Sequence, residues 1–181
     1  MGQIKQIFCY DEISFLIDNN NDAYGCGNND KGQLGLGHTN EIDGPTLLKD
    51  MKGKVKSIFS SGDMNIALTP DNDLFFWDKN ANNKFRPVKI IMKKISIMSV
   101  ACGGNFSLIL SQQGVVFSFG KSNKFGQLGS GNKTARSTPE PINYLIEIGE
   151  KISQIACGFK HSVAKGTSGK VYSWGLVKLS N

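Results

Sequence analysis

Internal repetition constrains this chain more than any other feature. The stretch Ile155–Gly175 has three further copies without internal gaps, starting at Val100, Ile58 and Ile7. Each opens on a strand-like triplet: Ile155-Ala-Cys157, Val100-Ala-Cys102, Ile58-Phe-Ser60 and Ile7-Phe-Cys9. Five residues past each triplet stand Ser162, Ser107, Asn65 and Ser14, and thirteen further on stand Gly175, Gly120, Asp78 and Gly27. Two fixed spacings kept four times describe one supersecondary unit used four times, and such a unit buries its apolar faces only against its neighbours.

The last piece of each copy alternates with the period of a strand. Tyr172 and Trp174, Phe117 and Phe119, Phe75 and Trp77, and Tyr24 and Cys26 share one face; Ser173, Ser118, Phe76 and Gly25 take the other. Turn residues precede it each time: Ser168-Gly169, Gln113-Gly114, Asn72-Asp73 and Asn20-Asn21-Asp22. These are hairpin residues. Glycine is 21 of 181 residues and proline only 5, so glycine makes the turns, which favours many short strands.

Two copies continue into glycine loops. One carries Gly27, Gly32, Gly35 and Gly37, the other Gly120, Gly126, Gly129 and Gly131, and each leads to a proline, Pro45 or Pro139, and an expected fourth strand. From Ser14 to Asn65 is 51 residues, from Asn65 to Ser107 is 42, and from Ser107 to Ser162 is 55; the short middle interval lacks a Gly-Gln-Leu-Gly loop. A period near fifty with four short strands is that of a β-propeller blade.

The run Ile-Ala-Cys-Gly-x-x-His-Ser-x-Ala, then Gly-x-Val-Tyr-Ser-Trp-Gly, then Gly-Gln-Leu-Gly-x-Gly and a proline, resembles the regulator of chromosome condensation (RCC1) repeat over nearly the whole chain. Trp77-Asp78 imitates a Trp-Asp repeat and Gly103-Gly104 a kelch blade, each in one copy only. The resemblance implies a seven-bladed ring, and seven blades of roughly fifty residues need about 350. The expectation is therefore an all-β single repeat region over residues 1–181, about half of an RCC1-like propeller, with units beginning near 7, 58, 100 and 155. Three whole blades are expected over 23–68, 74–110 and 116–165, with split terminal strands near 4–9, 13–17 and 171–175. Strand count also allows a small closed four-bladed ring. The resemblance favours an open arc with apolar end faces, completed by a partner chain or belonging to a larger assembly.

The structural repeat positions are Gly27, Gly32, Gly35, Gly37, Gly120, Gly126, Gly129, Gly131, Gly175, Trp77 and Trp174. Gly126–Thr134 falls one residue short of a phosphate loop, with Asn132 where the lysine belongs, and the pattern places no helix after it. His161 and Ser162, adjacent on a strand, point to opposite faces and cannot act as base and nucleophile. Ile13, Met64 and Phe106 occupy the His161 position in the other copies, which makes it an expected packing position. Cys9, Cys26, Cys102 and Cys157 form no C-x-x-C pair and are read as reduced thiols. No catalytic group, metal site, cofactor or small-molecule substrate is expected.

Charge is uneven. Residues 1–78 carry 6 basic and 12 acidic side chains, residues 79–139 carry 10 basic and no acidic ones, and residues 140–181 carry 5 and 3. Lys84, Arg86, Lys89, Lys93 and Lys94 are the densest basic group and the candidate partner-binding residues. No aromatic platform is expected among the lysines, because the aromatic residues fall on strands. No stretch approaches the ~20 apolar residues of a membrane helix, and the N-terminus lacks a signal-sequence pattern, so an intracellular protein, cytoplasmic or nuclear, is expected.

A non-enzymatic protein-binding scaffold follows from these readings. The resemblance implies two alternatives: guanine-nucleotide exchange on a Ran-type small GTPase, and chromatin or nucleic-acid association through the basic middle segment.

Overall fold

In the computed structural model, which describes residues 1–61, 63–79 and 85–176, the chain is nearly all β, in four antiparallel sheets. It divides into two compact units, Met1–Ile90 and Ile91–Asn181.

In the first unit, sheet A holds β1 (Ile4–Tyr10), β2 (Ile13–Asp18), β3 (Ala23–Gly27) and β4 (Thr46–Leu47) in chain order. Sheet B repeats this with β5 (Ser57–Ser60), β6 (Met64–Leu68), β7 (Leu74–Asp78) and β8 (Val88–Lys89). In the second unit, sheet C holds β9 (Ile97–Cys102), β10 (Phe106–Ser111), β11 (Val116–Gly120) and β12 (Arg136–Pro141). Sheet D has three strands, β13 (Ile152–Cys157), β14 (His161–Gly166) and β15 (Val171–Gly175). Among the described residues, helix is confined to a single 3-10 turn, Lys49–Met51, and a five-residue α1, Asn143–Glu147.

The hairpin turns explain the repeat. Asn21, Asn72, Gly114 and Gly169 occupy one repeat position, all at φ between 63° and 88°. Each donates its N–H to the carbonyl three residues earlier, from Asp18, Thr69, Ser111 and Gly166, at 3.0 to 3.1 Å. A left-handed residue admits Asn or Gly, the types found there.

Pairing corrects the expected partition. β1 and β2 are not leftovers: Cys9 pairs with Ser14, and Phe15 with Gly25, so sheet A is complete. The span 23–68 covers the end of one sheet and the start of the next. A strand pairs with the neighbour its hairpin returns, and the link from β4 to β5 is not a hairpin. There are three whole four-stranded sheets, and among the described residues the fourth has three strands.

In the first unit Ile13, Phe15 and Ile17 pack against Ile58, Ala67 and Trp77 of sheet B, with Phe15 and Trp77 edge to face at 5.8 Å. In the second unit Leu108, Leu110 and Val116 pack with Ile152 and Ala164 of sheet D. Ile142 and Leu145, beside and in α1, close one side of that core.

Candidate functional site

The two glycine loops are joints between sheets. In the first unit the backbone carbonyl of Gln33 accepts Trp77 Nε1–H at 3.1 Å and Asn65 Nδ2–H at 2.9 Å, both from sheet B. In the second unit the carbonyl of Gln127 accepts Trp174 Nε1–H at 2.9 Å and Ser162 Oγ–H at 2.7 Å, both from sheet D. The leucines that follow, Leu34 and Leu128, are fully buried. Gly35 and Gly129 come next, at φ +73° and +64°, and a Cβ there would stand 2.8 and 2.9 Å from the indole nitrogens of Trp77 and Trp174. A side chain would push the indole off its acceptor.

Each loop is tied down by one buried asparagine. Asn29 donates to the carbonyls of His38 (3.0 Å) and Asn40 (3.1 Å) and accepts the Leu34 N–H; Asn123 donates to those of Asn132 and Thr134 (both 2.9 Å) and accepts the Leu128 N–H. Gly27, Gly32, Gly37, Gly120, Gly126, Gly131 and Gly175 all have positive φ in these loops or at the strand ends beside them. The second loop runs into β12 and not into a helix.

The hairpin ends carry a parallel device. Asp18 accepts the N–H groups of Gly2, Asn20 and Asp22 and the Tyr24 hydroxyl. Burial raises its carboxyl pKa, and the four hydrogen bonds outweigh burial and hold it below the ordinary value of 3.8. Gly166 stands at that repeat position in sheet D and has no side chain. Glu150 from outside the strand takes the place, with its Oε1 where a Gly166 Cβ would be. It accepts from Ser168 Oγ at 2.8 Å and Tyr172 OH at 2.9 Å, which together lower its pKa.

Ser162 is buried on the Gln127 carbonyl and His161 is exposed on the opposite face. The expected packing role of His161 is corrected: Ile13, Met64 and Phe106 are buried, and His161 is not. Lys165 is likewise exposed where Ile17, Leu68 and Leu110 are buried. That face of the last sheet is mixed: His161 and Lys165 share it with Val163 and with Val171, 66% exposed. Burial raises the Cys102 thiol to about 12 and also raises that of Cys157, away from thiolate chemistry.

Four of the five candidate basic residues are described, two in each unit. Lys84 lies outside the described residues. Arg86 and Lys89 belong to the first unit, paired with Asp50 at 2.6 Å and Asp73 at 2.7 Å, while Lys93 and Lys94 lie in the second unit before β9.

A different cluster emerges on the loop rim of the second unit. Phe125, 39% exposed, lies in the glycine loop, and Phe159, 65% exposed, lies between β13 and β14. The Lys160 ammonium sits 5.2 Å from the Phe125 centroid and 6.0 Å from that of Phe159. Aromatic rings thus flank a lysine away from the basic group singled out by charge density. The signal was available as Lys124-Phe125 and Phe159-Lys160, but only folding brings the two pairs together.

The chain matches the regulator of chromosome condensation (RCC1) repeat over residues 20–68 and 113–164, and a second description of the same repeat over 4–33 and 97–127. It belongs to the RCC1 repeat family. The ultraviolet-B receptor UVR8 of Arabidopsis thaliana is 29% identical over 97% of this chain and 42% of its own length. The secretion-regulating guanine nucleotide exchange factor of Bos taurus is 35% identical over 82% of this chain and 34% of its own. Among solved structures, human WBSCR16 superposes with a TM-score of 0.79 at 29% identity, over 96% of this chain and 48% of that one. Prp20p of Saccharomyces cerevisiae, described with its binding to Gsp1p and histones, gives 0.78 at 25% identity, over 95% and 45%. The chain spans less than half the length of each of these relatives, and its fold is about half of an RCC1 propeller. No helix among the described residues is long and apolar enough to cross a membrane.

Proposed function

We propose that this RCC1-repeat chain is a non-catalytic, protein-binding scaffold whose partner contacts lie on the loop rim of its second unit. The observation that carries the reading is the exposed Phe125–Lys160–Phe159 cluster, set on loops held rigid by Asn123 and the Gln127 carbonyl. Exposed aromatic side chains are enriched at protein interfaces relative to the rest of the surface. The buried Ser162 hydroxyl and the raised Cys102 and Cys157 thiols support a non-catalytic role. Further blades or a partner chain complete the propeller in this reading.

The test is retention of partner proteins by the immobilised chain, beside Phe159→Ala and Lys160→Glu. Partners held by the parent chain and lost from both variants support the scaffold. Equal retention by all three contradicts it.

Guanine-nucleotide exchange on a Ran-type small GTPase is the second reading, favoured by the 35% identity to a named exchange factor. Nucleotide release measured with and without the chain decides it; acceleration by stoichiometric amounts supports exchange. For chromatin or nucleic-acid association, Arg86 and Lys89 are already paired, and Lys93→Glu with Lys94→Glu should abolish any salt-sensitive binding.

A further inference from the structure

We infer that the rim of the second unit docks an acidic protein segment bearing an apolar side chain. This rests on the scaffold reading and names the chemistry of its partner. The repeat supplies an internal comparison, because the same rim positions occur in both units. The residue before each second strand is Glu12 or Asp63 in the first unit and Asn105 or Lys160 in the second. Two residues before the Gly-Gln-Leu-Gly run, Asp30 gives way to Lys124, and one residue before it Lys31 gives way to Phe125.

In the first unit the rim acids already have partners within that unit. Asp63 pairs with Lys79, Asp30 with Lys31 at 3.9 Å, and Glu12 accepts Asn28 Nδ2–H at 2.8 Å. The second unit has only three acidic residues, Glu140, Glu147 and Glu150. Glu140 pairs with Arg136, and Glu150 is taken by Ser168 and Tyr172. The rim loops of the second unit, 103–105, 120–131 and 158–160, contain no carboxylate.

Among the described residues no carboxylate pairs with Lys160, so its ammonium is oriented without being neutralised. Two ring faces hold its ammonium, which lowers the rotamer entropy lost when a carboxylate arrives. Lys124, exposed and next to Phe125 in the chain, adds a second positive charge, and the Phe159 ring offers an exposed apolar surface beside Lys160. A carboxylate on Lys160 with an apolar neighbour on Phe159 satisfies both groups. A stacked nucleobase fits less well, because the ammonium occupies the Phe125 face on which the base would lie.

The probe is a fluorescent peptide of repeated glutamate interrupted by one Leu and one Phe, titrated by anisotropy beside its Gln counterpart and a labelled oligothymidylate. The Glu peptide should bind and the Gln peptide should not. Lys160→Glu should weaken binding roughly tenfold or more, Lys124→Glu and Phe159→Ala severalfold, and Lys31→Glu in the first unit hardly at all. The substituted side chains are exposed, and unchanged melting confirms that each variant folds. Equal binding of the Gln peptide, indifference to both lysine reversals, or an oligothymidylate that binds more tightly and displaces the peptide overturns the acidic-segment assignment. If rim-dependent partners are retained on the immobilised chain while the peptide neither binds nor competes, the partner chemistry is wrong and the scaffold stands. If neither peptide nor partner depends on the rim, both fall.

Discussion

The indole nitrogens of Trp77 and Trp174 each meet a backbone carbonyl that a second donor already holds. Trp174→Phe keeps an aromatic side chain but loses the pyrrole half of the indole and one of two bonds to the Gln127 carbonyl, and should cost at least about 1 kcal/mol in urea denaturation. Gly129→Ala should cost more, about 1–3 kcal/mol, because it adds a left-handed alanine to a clash with the indole. Asp18 sets a pH dependence. Its folded pKa lies below 3.8, so its stabilisation is present above that value and is lost as pH falls through the lower folded value. Asp18→Asn should be less stable at neutral pH and lose less on acidification, read from melts across the acid range. The repeat exposed the importance of these glycines and tryptophans in the sequence. It could not expose their partner, because that partner is a main-chain carbonyl, and the eye falls instead on the glutamine side chain that carries it.

Turns and loops were legible wherever a residue type has one geometric use. Asn21, Asn72, Gly114 and Gly169 announced four hairpins, and the structure has all four. The division into sheets was less legible, because a repeat can be cut anywhere along its period and only pairing shows that β1 and β2 belong with β3. Helix α1 escaped notice because five residues are too few to show a helical period. Glu150 escaped for another reason: it replaces a missing side chain from a different segment, and the repeat marks only the gap at Gly166. Among the loops, Asn123 is the tie whose loss should show most. Asn123→Ala leaves the carbonyls of Asn132 and Thr134 without that donor and should speed amide exchange at Leu128 and Gly129 well before global unfolding, while the β10–β11 hairpin stays protected.

At the scale of the whole molecule, the sequence disclosed the repeat family, and its charge pattern singled out one segment while the fold assembles another cluster. Charge counting pointed to the segment around Arg86 and Lys89, where folding pairs the charges with Asp50 and Asp73. The rim formed by Phe125, Phe159 and Lys160 is assembled from residues 34 positions apart, and local composition cannot show that. The first unit keeps the same loop frame with a rim whose acids are internally partnered, so one scaffold carries two different surfaces. The most direct measurement is a photo-crosslinker placed in turn at 125, 159, 31 and 79, with adduct yield mapped in the presence of partner proteins. Adducts concentrated at 125 and 159, and suppressed by Lys160→Glu, are the expected result. Equal yields at all four positions, or yields unchanged by Lys160→Glu, would contradict a partner-binding rim on the second unit.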